Sequence, residues 1–275
     1  MSDDGRTVPA LDPGGFNELR MCRDGPMLYN RFDAYIGQSL RKYGEFSFGE
    51  QELFRQLVRP GAVVVEVGAN IGAHTVGLAR LVGHGGAVIA FEPQRIPFQT
   101  LCANLALNQL ANVRARQAAV GRTSGTILVP ALDPSLPANF GGVSLIDATG
   151  GEEVPLLTVD SMELPACHLL KVDVEGMEAD VLVGAERTIR RCRPLLYVEN
   201  DREDRSEALL GIILGLGYAA YWHLPRLFNP DNFAGDAENI FGNTISANLL
   251  CIPGELPQDI QGMRRVASAR DSWRV

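Results

Sequence analysis

The chain has 275 residues, of which 46% are hydrophobic and 21% are charged, as is common for a folded globular protein. Its net charge of −8 excludes a generally basic surface, so we expect no binding along nucleic-acid phosphates. Because no apolar run approaches about 18 residues, we also expect no membrane span.

The first segment, residues 1–48, does not follow a regular helix or strand pattern. Gly14, Gly15 and Pro26 interrupt it, and a run of aromatic residues follows. We interpret these residues as an N-terminal extension that either packs on the main domain or forms a lid over a ligand site.

From residue 49 the sequence alternates between helical and strand patterns. The predicted elements are helix 49–58, strand 62–67, helix 72–82, strand 87–91, helix 98–110, strand 113–119, strand 168–172, helix 177–191, strand 194–198, helix 206–216, strand 218–222 and strand 245–251. Seven strands with interleaved helices predict an α/β fold with a Rossmann-like, doubly wound, mostly parallel sheet.

Three segments interrupt or follow this alternation. Short β-prone runs with Gly and Pro predict an antiparallel insertion between about 121 and 160. The loop 224–244 is long for a compact domain, and such loops are usually functional lids or disordered. We therefore divide the chain into the extension 1–48, a catalytic-type domain 49–253 and a C-terminal tail 254–275.

The turn after the first strand is the most informative motif. The β-branched run 63–67 predicts a strand buried on both faces, and a Gly-rich turn from Gly68 to Gly72 precedes a helix. The spacing is G-x-x-x-G, whereas a dinucleotide site has G-x-G-x-x-G to hold a pyrophosphate. The turn therefore favours a nucleoside ligand without phosphates, and S-adenosylmethionine is the obvious one.

The residues around this turn suit both ends of the ligand's amino-acid portion. Gly68 and Gly72 permit close backbone approach and a tight entry into the helix, and Glu66 is placed to contact the ammonium. Asn70 and Thr75 lie at the helix N-terminus, where free N–H groups favour a carboxylate. His74 and Thr75 are also explained as helix-surface residues.

The following strands supply the other predicted cofactor contacts. Glu92 ends the second strand, where a carboxylate can accept hydrogen bonds from two ribose hydroxyls. Asn104 and Asn108 lie four residues apart on the next helix, and helix-surface polarity explains them as well as ligand contact does. Val120 ends the third strand and is expected to line the adenine ring.

A second group of acids follows the strand 168–172. Asp173 and Glu175 end that strand, and Glu199 and Asn200 end the next one, so we expect them near each other. Asp173 or Glu175 can act as a general base, or Asp173, Glu199 and Asn200 can hold Mg²⁺ or a similar oxygen-preferring ion. The acids can also cap helices and pair with arginines.

His223 follows a predicted strand and opens the loop 224–244. Its ordinary pKa near 6.5 makes it a candidate general base, although a single histidine is often structural. The loop combines phenylalanines with asparagines, a mixture that suits a sugar or polyol acceptor but also an ordinary packed loop.

With these motifs placed, the chain resembles the FkbM family of S-adenosylmethionine-dependent methyltransferases over about residues 49–253. The matching segments are 66–72, 91–93, Asn104 with Asn108, 170–176, 193–194, 198–199 and 248–253. The resemblance implies a Rossmann-like sheet and O-methylation of a hydroxyl on a sugar, glycan or secondary metabolite. Asp173 with Glu199-Asn200 also resembles the metal ligands of catechol O-methyltransferase, except that Glu replaces Asp. Residues 1–48 fall outside the family pattern, so acceptor specificity is expected there.

The sequence is also compatible with other functions. They are N-methylation of a peptide or amine, a non-catalytic module that binds S-adenosylmethionine, and a dinucleotide-dependent oxidoreductase. Nucleic-acid methylation is disfavoured because the Pro-Pro-Tyr motif for a flipped base is missing. Five unclustered cysteines and no signal-peptide pattern predict free thiols and a cytoplasmic location, and a homo-oligomer is left open.

Overall fold

The computed structural model describes residues 14–146, 148–257 and 260–274. The strands are β1 (Asn17–Cys22), β2 (Gly25–Asn30), β3 (Val63–Val67), β4 (Ala87–Phe91), β5 (Val113–Arg116), β6 (Ala119–Val120), β7 (Gly125–Val129), β8 (Glu152–Leu157), β9 (Leu169–Val172), β10 (Leu195–Glu199), β11 (Tyr218–His223), β12 (Asn248–Pro253) and β13 (Arg264–Arg265). The helices are α1 (Ile36–Tyr43), α2 (Phe48–Leu57), α3 (Thr75–Val82), α4 (Arg95–Leu107), α5 (Glu178–Val183), α6 (Glu186–Cys192) and α7 (Glu203–Gly215).

The central sheet has the order β5-β4-β3-β9-β10-β12-β11-β13 in the part of the chain that the structure describes. Strands β5, β4, β3, β9 and β10 are parallel, and β12 is antiparallel to both of its neighbours. The chain winds from β3 to one side and then crosses back to β9, so β3 and β9 flank the topological switch point. The predicted doubly wound, mostly parallel sheet is confirmed, with β13 as an additional two-residue edge strand.

The middle strands are buried because helices cover both faces of the sheet. Alternate residues of each strand enter one of two cores: Val65 and Leu170 enter the first, and Val64 and Leu169 enter the second. Glu66 and Lys171 are exceptions, since they lie opposite each other in the β3–β9 register with almost no exposure. Two buried charges side by side at the switch point indicate a polar site there.

Two elements differ from the prediction. The predicted strand 113–119 ends at Arg116, and β6 joins β8 and β7 in a separate three-stranded sheet, which contains the antiparallel pair expected in the insertion. The predicted helix 177–191 is divided into α5 and α6. The break occurs because Asp160 accepts hydrogen bonds from the backbone N–H groups of Arg187 and Thr188 and so caps a new helix at Glu186.

The N-terminal region contains a β1–β2 hairpin that the sequence pattern did not predict. It packs on α4 through Asn104, while residues 1–13 of the predicted extension lie outside the described residues. Glu45 joins this region to the loop 224–244, since its carboxylate accepts from Arg23, Asn229 and the Phe233 N–H. All five cysteines are free, and no helix in the described segments has the length and apolarity to cross a membrane.

Candidate active site

A cavity of about 360 Å³ lies at the carboxyl ends of β3, β4, β9 and β10. This is the switch point where ligands of open α/β sheets bind, and the volume lies within the range of small-molecule sites. Residues that follow these strands form its floor: Gly68, Asn70, Glu92, Asp173, Glu175, Glu199 and Asp201. Its walls come from segments 35–50, 139–145 and 227–247.

Gly68 is required by the packing of the strand ends. It has a φ of +84°, and a Cβ at this position would lie 1.7 Å from the backbone oxygen of Asp173. The turn continues through Asn70 in the left-handed region, and α3 begins at Thr75 rather than at Gly72. A Cβ on Gly72 would press against Leu101, so this glycine also serves packing.

Glu92 lines the cavity and is held by the backbone. Its two carboxylate oxygens accept hydrogen bonds from the N–H groups of Asn70 at 2.9 Å and Gln94 at 2.8 Å. Burial raises the pKa of Glu92 to about 7, against the lowering effect of these two bonds. Each oxygen keeps a lone pair for a ligand hydroxyl.

Glu66 and Thr75 lie behind the floor of the cavity. The Thr75 hydroxyl donates to Glu66 at 2.7 Å, and the Glu66 carboxylate is 4.0 Å from the Lys171 ammonium. Burial raises the pKa of Glu66 to about 7, and Lys171 opposes that effect. Both side chains are thus engaged within the protein, and Lys171 connects them to Asp173.

Lys171 is buried and fixes the orientation of Asp173. Its Nζ lies 3.2 Å from Oδ2 of Asp173, whose side chain is 39% exposed to the cavity side. Burial lowers the pKa of Lys171, but the carboxylates of Asp173, Glu66 and Glu50 together raise it by a larger amount, so the pKa lies above its ordinary value. Lys171 therefore stays a cation beneath the cavity floor.

Three acids meet at the β9–β10 end of the cavity. Glu175, Glu199 and Asp201 each bring one carboxylate oxygen within 4.8 Å of the others. Arg202 donates to Glu175 at 2.7 Å, and burial raises the pKa of Glu175 to about 7. One oxygen of Glu199 is buried without a hydrogen-bond partner, and burial together with the nearby carboxylates raises the Glu199 pKa well above its ordinary value.

The predicted metal-ligand set is not assembled. The Asn200 amide donates to the Ser206 hydroxyl at 2.9 Å, on the opposite side of the chain from Glu199, and Asp173 pairs with Lys171. The alternating direction of side chains along an extended chain explains this outcome, since Glu199 and Asn200 are consecutive. Of the predicted ligands, only Glu199 belongs to the three-acid group.

Three other predicted site residues do not line the cavity. Asn104 is fully buried and accepts from the Leu28 N–H while donating to the carbonyls of Leu28 and Ile71, so it joins the hairpin to the domain. Val120 lies in the main core, because the chain leaves the central sheet before β6. Neither residue lines the cavity in the structure, so their predicted contacts with the cofactor stay predictions.

His223 is the third of these residues. The hydroxyl of Tyr197 lies 2.8 Å from its Nδ1, and burial lowers its pKa. A base that acts directly on a ligand must reach the cavity, and His223 does not line it.

Glu50 is a cavity residue that the sequence reasoning missed. It is 4% exposed, accepts from the Ser47 hydroxyl at 2.7 Å and has its Oε2 3.6 Å from His74. Burial raises the pKa of Glu50 and lowers that of His74 to about 3, so the histidine is neutral. Ser47 and Glu50 have the spacing of a helix-capping box. The sequence therefore suggests a capping role for Glu50 and gives no sign that it lines the cavity.

A Rossmann-like sheet in which β12 is antiparallel to both neighbours, and a carboxylate at the end of β4 that lines a switch-point cavity, are typical of the S-adenosylmethionine-dependent methyltransferases. The family model of the methyltransferase FkbM domain matches residues 66–219, more than half of the chain. The chain therefore belongs to the FkbM methyltransferase family.

Individual relatives are distant. The chain is 28% identical over 226 residues to the 31-O-demethyl-FK506 methyltransferase FkbM of Streptomyces tacrolimicus, covering 67% of this chain and 86% of that protein. It is 30% identical over 149 residues to the hexuronic acid methyltransferase AglP of Haloferax volcanii, covering 52% and 59%. A crystal structure of an FkbM methyltransferase from Methylobacillus flagellatus KT gives a TM-score of 0.48 at 20% identity, covering 80% of this chain and 55% of that one.

Proposed function

We propose that this methyltransferase transfers a methyl group from S-adenosylmethionine to a hydroxyl of a sugar, glycan or secondary metabolite. The observation that carries the proposal is a single cavity that contains Glu92 at one end and Asp173 with Glu199 at the other. The names of two relatives, a 31-O-demethyl-FK506 methyltransferase and a hexuronic acid methyltransferase, support acceptors of these kinds.

The donor half of the cavity is the β3–β4 side. Glu92 offers two lone pairs to the ribose hydroxyls, and the turn from Gly68 to Asn70 lies next to it. The ends of β4 and β10 are three strands apart in the sheet, or about 14 Å at ~4.8 Å per strand. That separation leaves room for an acceptor beside the donor's reactive end.

The acceptor half contains the groups for proton removal. S-adenosylmethionine, when bound, supplies an electrophilic methyl group, so the protein must mainly align the hydroxyl and accept its proton. Asp173 is suited to this role because Lys171 holds Oδ2 and leaves Oδ1 for the acceptor. The new O–C bond forms as the S–C bond breaks, the hydroxyl proton passes to Asp173, and S-adenosylhomocysteine is released.

Glu175 and Glu199 support this arrangement in different ways. Glu175 is held by Arg202, which gives it a positioning role in our proposal rather than the direct role that the sequence suggested. The unpartnered oxygen of Glu199 is available to a second hydroxyl of the acceptor. No step of this mechanism uses a divalent ion, because Asp173 and Glu175 each already have a cationic partner.

The experiment combines a binding and a turnover measurement. Isothermal titration should show binding of S-adenosylhomocysteine, and intact-mass analysis should detect methylated products from a panel of sugars and metabolites. Asp173→Asn should bind the donor product but lose turnover, while Glu52→Gln, on an exposed face of α2, should keep both. If S-adenosylhomocysteine fails to bind, the proposal is wrong. If Asp173→Asn methylates an amine at full rate, N-methylation replaces O-methylation.

A further inference from the structure

Two segments outside the family-matched range 66–219 contribute to the wall of the cavity. Tyr35, Ile36, Phe46 and Glu50 come from the N-terminal region, and 244–247 from the loop before β12. The two segments are joined by Glu45 and by Tyr43, which accepts from the Ile240 N–H and donates to the Glu238 carbonyl. These two segments are therefore the part of the cavity wall that the family model does not cover.

The ionisable side chains that line the cavity are predominantly acidic. Six carboxylates line it, namely Glu50, Glu92, Asp173, Glu175, Glu199 and Asp201. Among the lining residues that the structure describes, none is Lys, Arg or His. Lys171 and Arg202 lie behind the surface, where Lys171 is paired with Asp173 and Glu66, and Arg202 is paired with Glu175.

We infer that the cavity selects a neutral or positively charged acceptor, such as a neutral or amino sugar, and rejects acids such as uronic acids. This inference rests on the proposed function and names its acceptor class. An acidic acceptor would bring a further carboxylate among acids that already disfavour one another's ionised form, and no lining cation offsets it. An ammonium group would instead be stabilised by Glu50 or by the unpartnered oxygen of Glu199.

Glu50 is the specificity-determining residue in this scheme. It is buried on α2 and lines the cavity, and its hydrogen bond to Ser47 fixes its position. The neighbouring His74 is neutral and so does not cancel its charge. Glu52 lies two residues further along α2 with a 46% exposed side chain, which offers a control with the same change in net charge.

The first measurement does not require the natural acceptor. Sinefungin carries an ammonium where the methyl donor carries its reactive methyl, whereas S-adenosylhomocysteine has no charge at that point. We expect sinefungin to bind about tenfold more tightly, an advantage that declines with added salt. Glu50→Gln and Glu199→Gln should each reduce the advantage at least about threefold, and Glu52→Gln should preserve it.

The second measurement compares methyl glucoside, methyl glucuronide and methyl glucosaminide by kcat/KM, with the donor at saturation. We expect kcat/KM for the glucuronide to be at least about tenfold lower than for the other two sugars, and we expect Glu50→Gln to reduce this difference in kcat/KM. Equal or better methylation of the glucuronide overturns the inference but leaves the proposed function intact. If no sugar reacts, the ratio of the Kd for S-adenosylhomocysteine to the Kd for sinefungin decides. A wild-type ratio near one, or a ratio that is unchanged in both Glu50→Gln and Glu199→Gln, overturns the inference. Failure of S-adenosylhomocysteine to bind instead overturns the proposed function.

Discussion

Replacing Glu92 by Gln tests the donor half of the cavity directly. The wild-type carboxylate accepts one backbone hydrogen bond on each oxygen, from Asn70 and Gln94, and is proposed to accept one ribose hydroxyl on each. The amide keeps one acceptor oxygen but turns the other into a donor. The variant therefore loses one ribose bond and the charge that strengthens the other.

The magnitude follows from the strength of hydrogen bonds to a charged group, about 1.5 to 3 kcal/mol each. Losing one such bond and weakening the second should cost about 2 to 3 kcal/mol of donor binding. At about 1.4 kcal/mol per tenfold, the Kd for S-adenosylhomocysteine should rise about 30- to 140-fold. Titration calorimetry measures this change directly.

The pH dependence provides an independent readout. The pKa of Glu92 is raised by burial to about 7, so the ionised form that the ribose needs is depleted as the pH falls below that value. Wild-type affinity should fall about tenfold between pH 8 and pH 6, with release of nearly one proton on binding at pH 6. In Glu92→Gln this proton release should disappear.

A matched control separates ligand contact from damage to the turn. Asp160→Asn changes another carboxylate that accepts from two backbone N–H groups, but Asp160 caps α6 and does not line the cavity. It should leave the Kd within about twofold, although it weakens a helix cap. A Glu92→Gln variant that binds S-adenosylhomocysteine like the wild type, or that keeps the proton release, would refute the ribose contact.

Three further predictions concern the other site residues. Asp173→Asn should lower kcat by about 10² to 10⁴ while donor binding is kept, and a steady-state assay in which kcat is unchanged would rule out the base role. Dialysis against EDTA should leave turnover unchanged, because Asp173 paired with Lys171 is the proposed base; recovery of lost activity by Mg²⁺ would instead assign a cation to the group of Glu175, Glu199 and Asp201. Asn104→Ala should lower the free energy of unfolding by about 2 to 4 kcal/mol, since it leaves backbone groups of Leu28 and Ile71 without their partner. Its donor Kd should stay within about threefold, and a larger change would restore Asn104 as a cofactor residue.

Much of the fold could be predicted because buried parallel strands have a strong signature. The β-branched run of β3 and the apolar β9 lie in the middle of the sheet, where both faces are covered, and their strand ends form the floor of the cavity. Ligands of such sheets bind at the carboxyl edge, and this rule alone is enough to group Gly68, Glu92 and Asp173 from the sequence.

The errors arise where a side-chain direction or a long-range contact decides the outcome. Glu199 and Asn200 are consecutive, and the sequence cannot show which of them faces the cavity. Asn104 looks like a polar position on a helix, but the β1–β2 hairpin covers it. A hairpin this short has a weak pattern of its own, so the sequence gives no sign of its contact with α4.

Different segments of the chain form the floor of the cavity and its proposed acceptor wall, which explains why the donor could be identified from the motifs and the acceptor could not. The family-matched range supplies the floor, from Gly68 to Asp201, and the same strand-end geometry serves any acceptor. The proposed acceptor wall consists of Glu50 and its aromatic neighbours on one segment and residues 244–247 on a second, and Glu45 of the first segment accepts hydrogen bonds from Asn229 and the Phe233 N–H of the second. Exchanging these two segments as a pair should therefore change the acceptor while keeping the donor, whereas exchanging either one alone should break the Glu45 contacts and destabilise the protein. Glu45 accepts two hydrogen bonds from the second segment, and a hydrogen bond to a charged group contributes about 1.5 to 3 kcal/mol, so thermal unfolding of the single and paired exchanges would distinguish these outcomes.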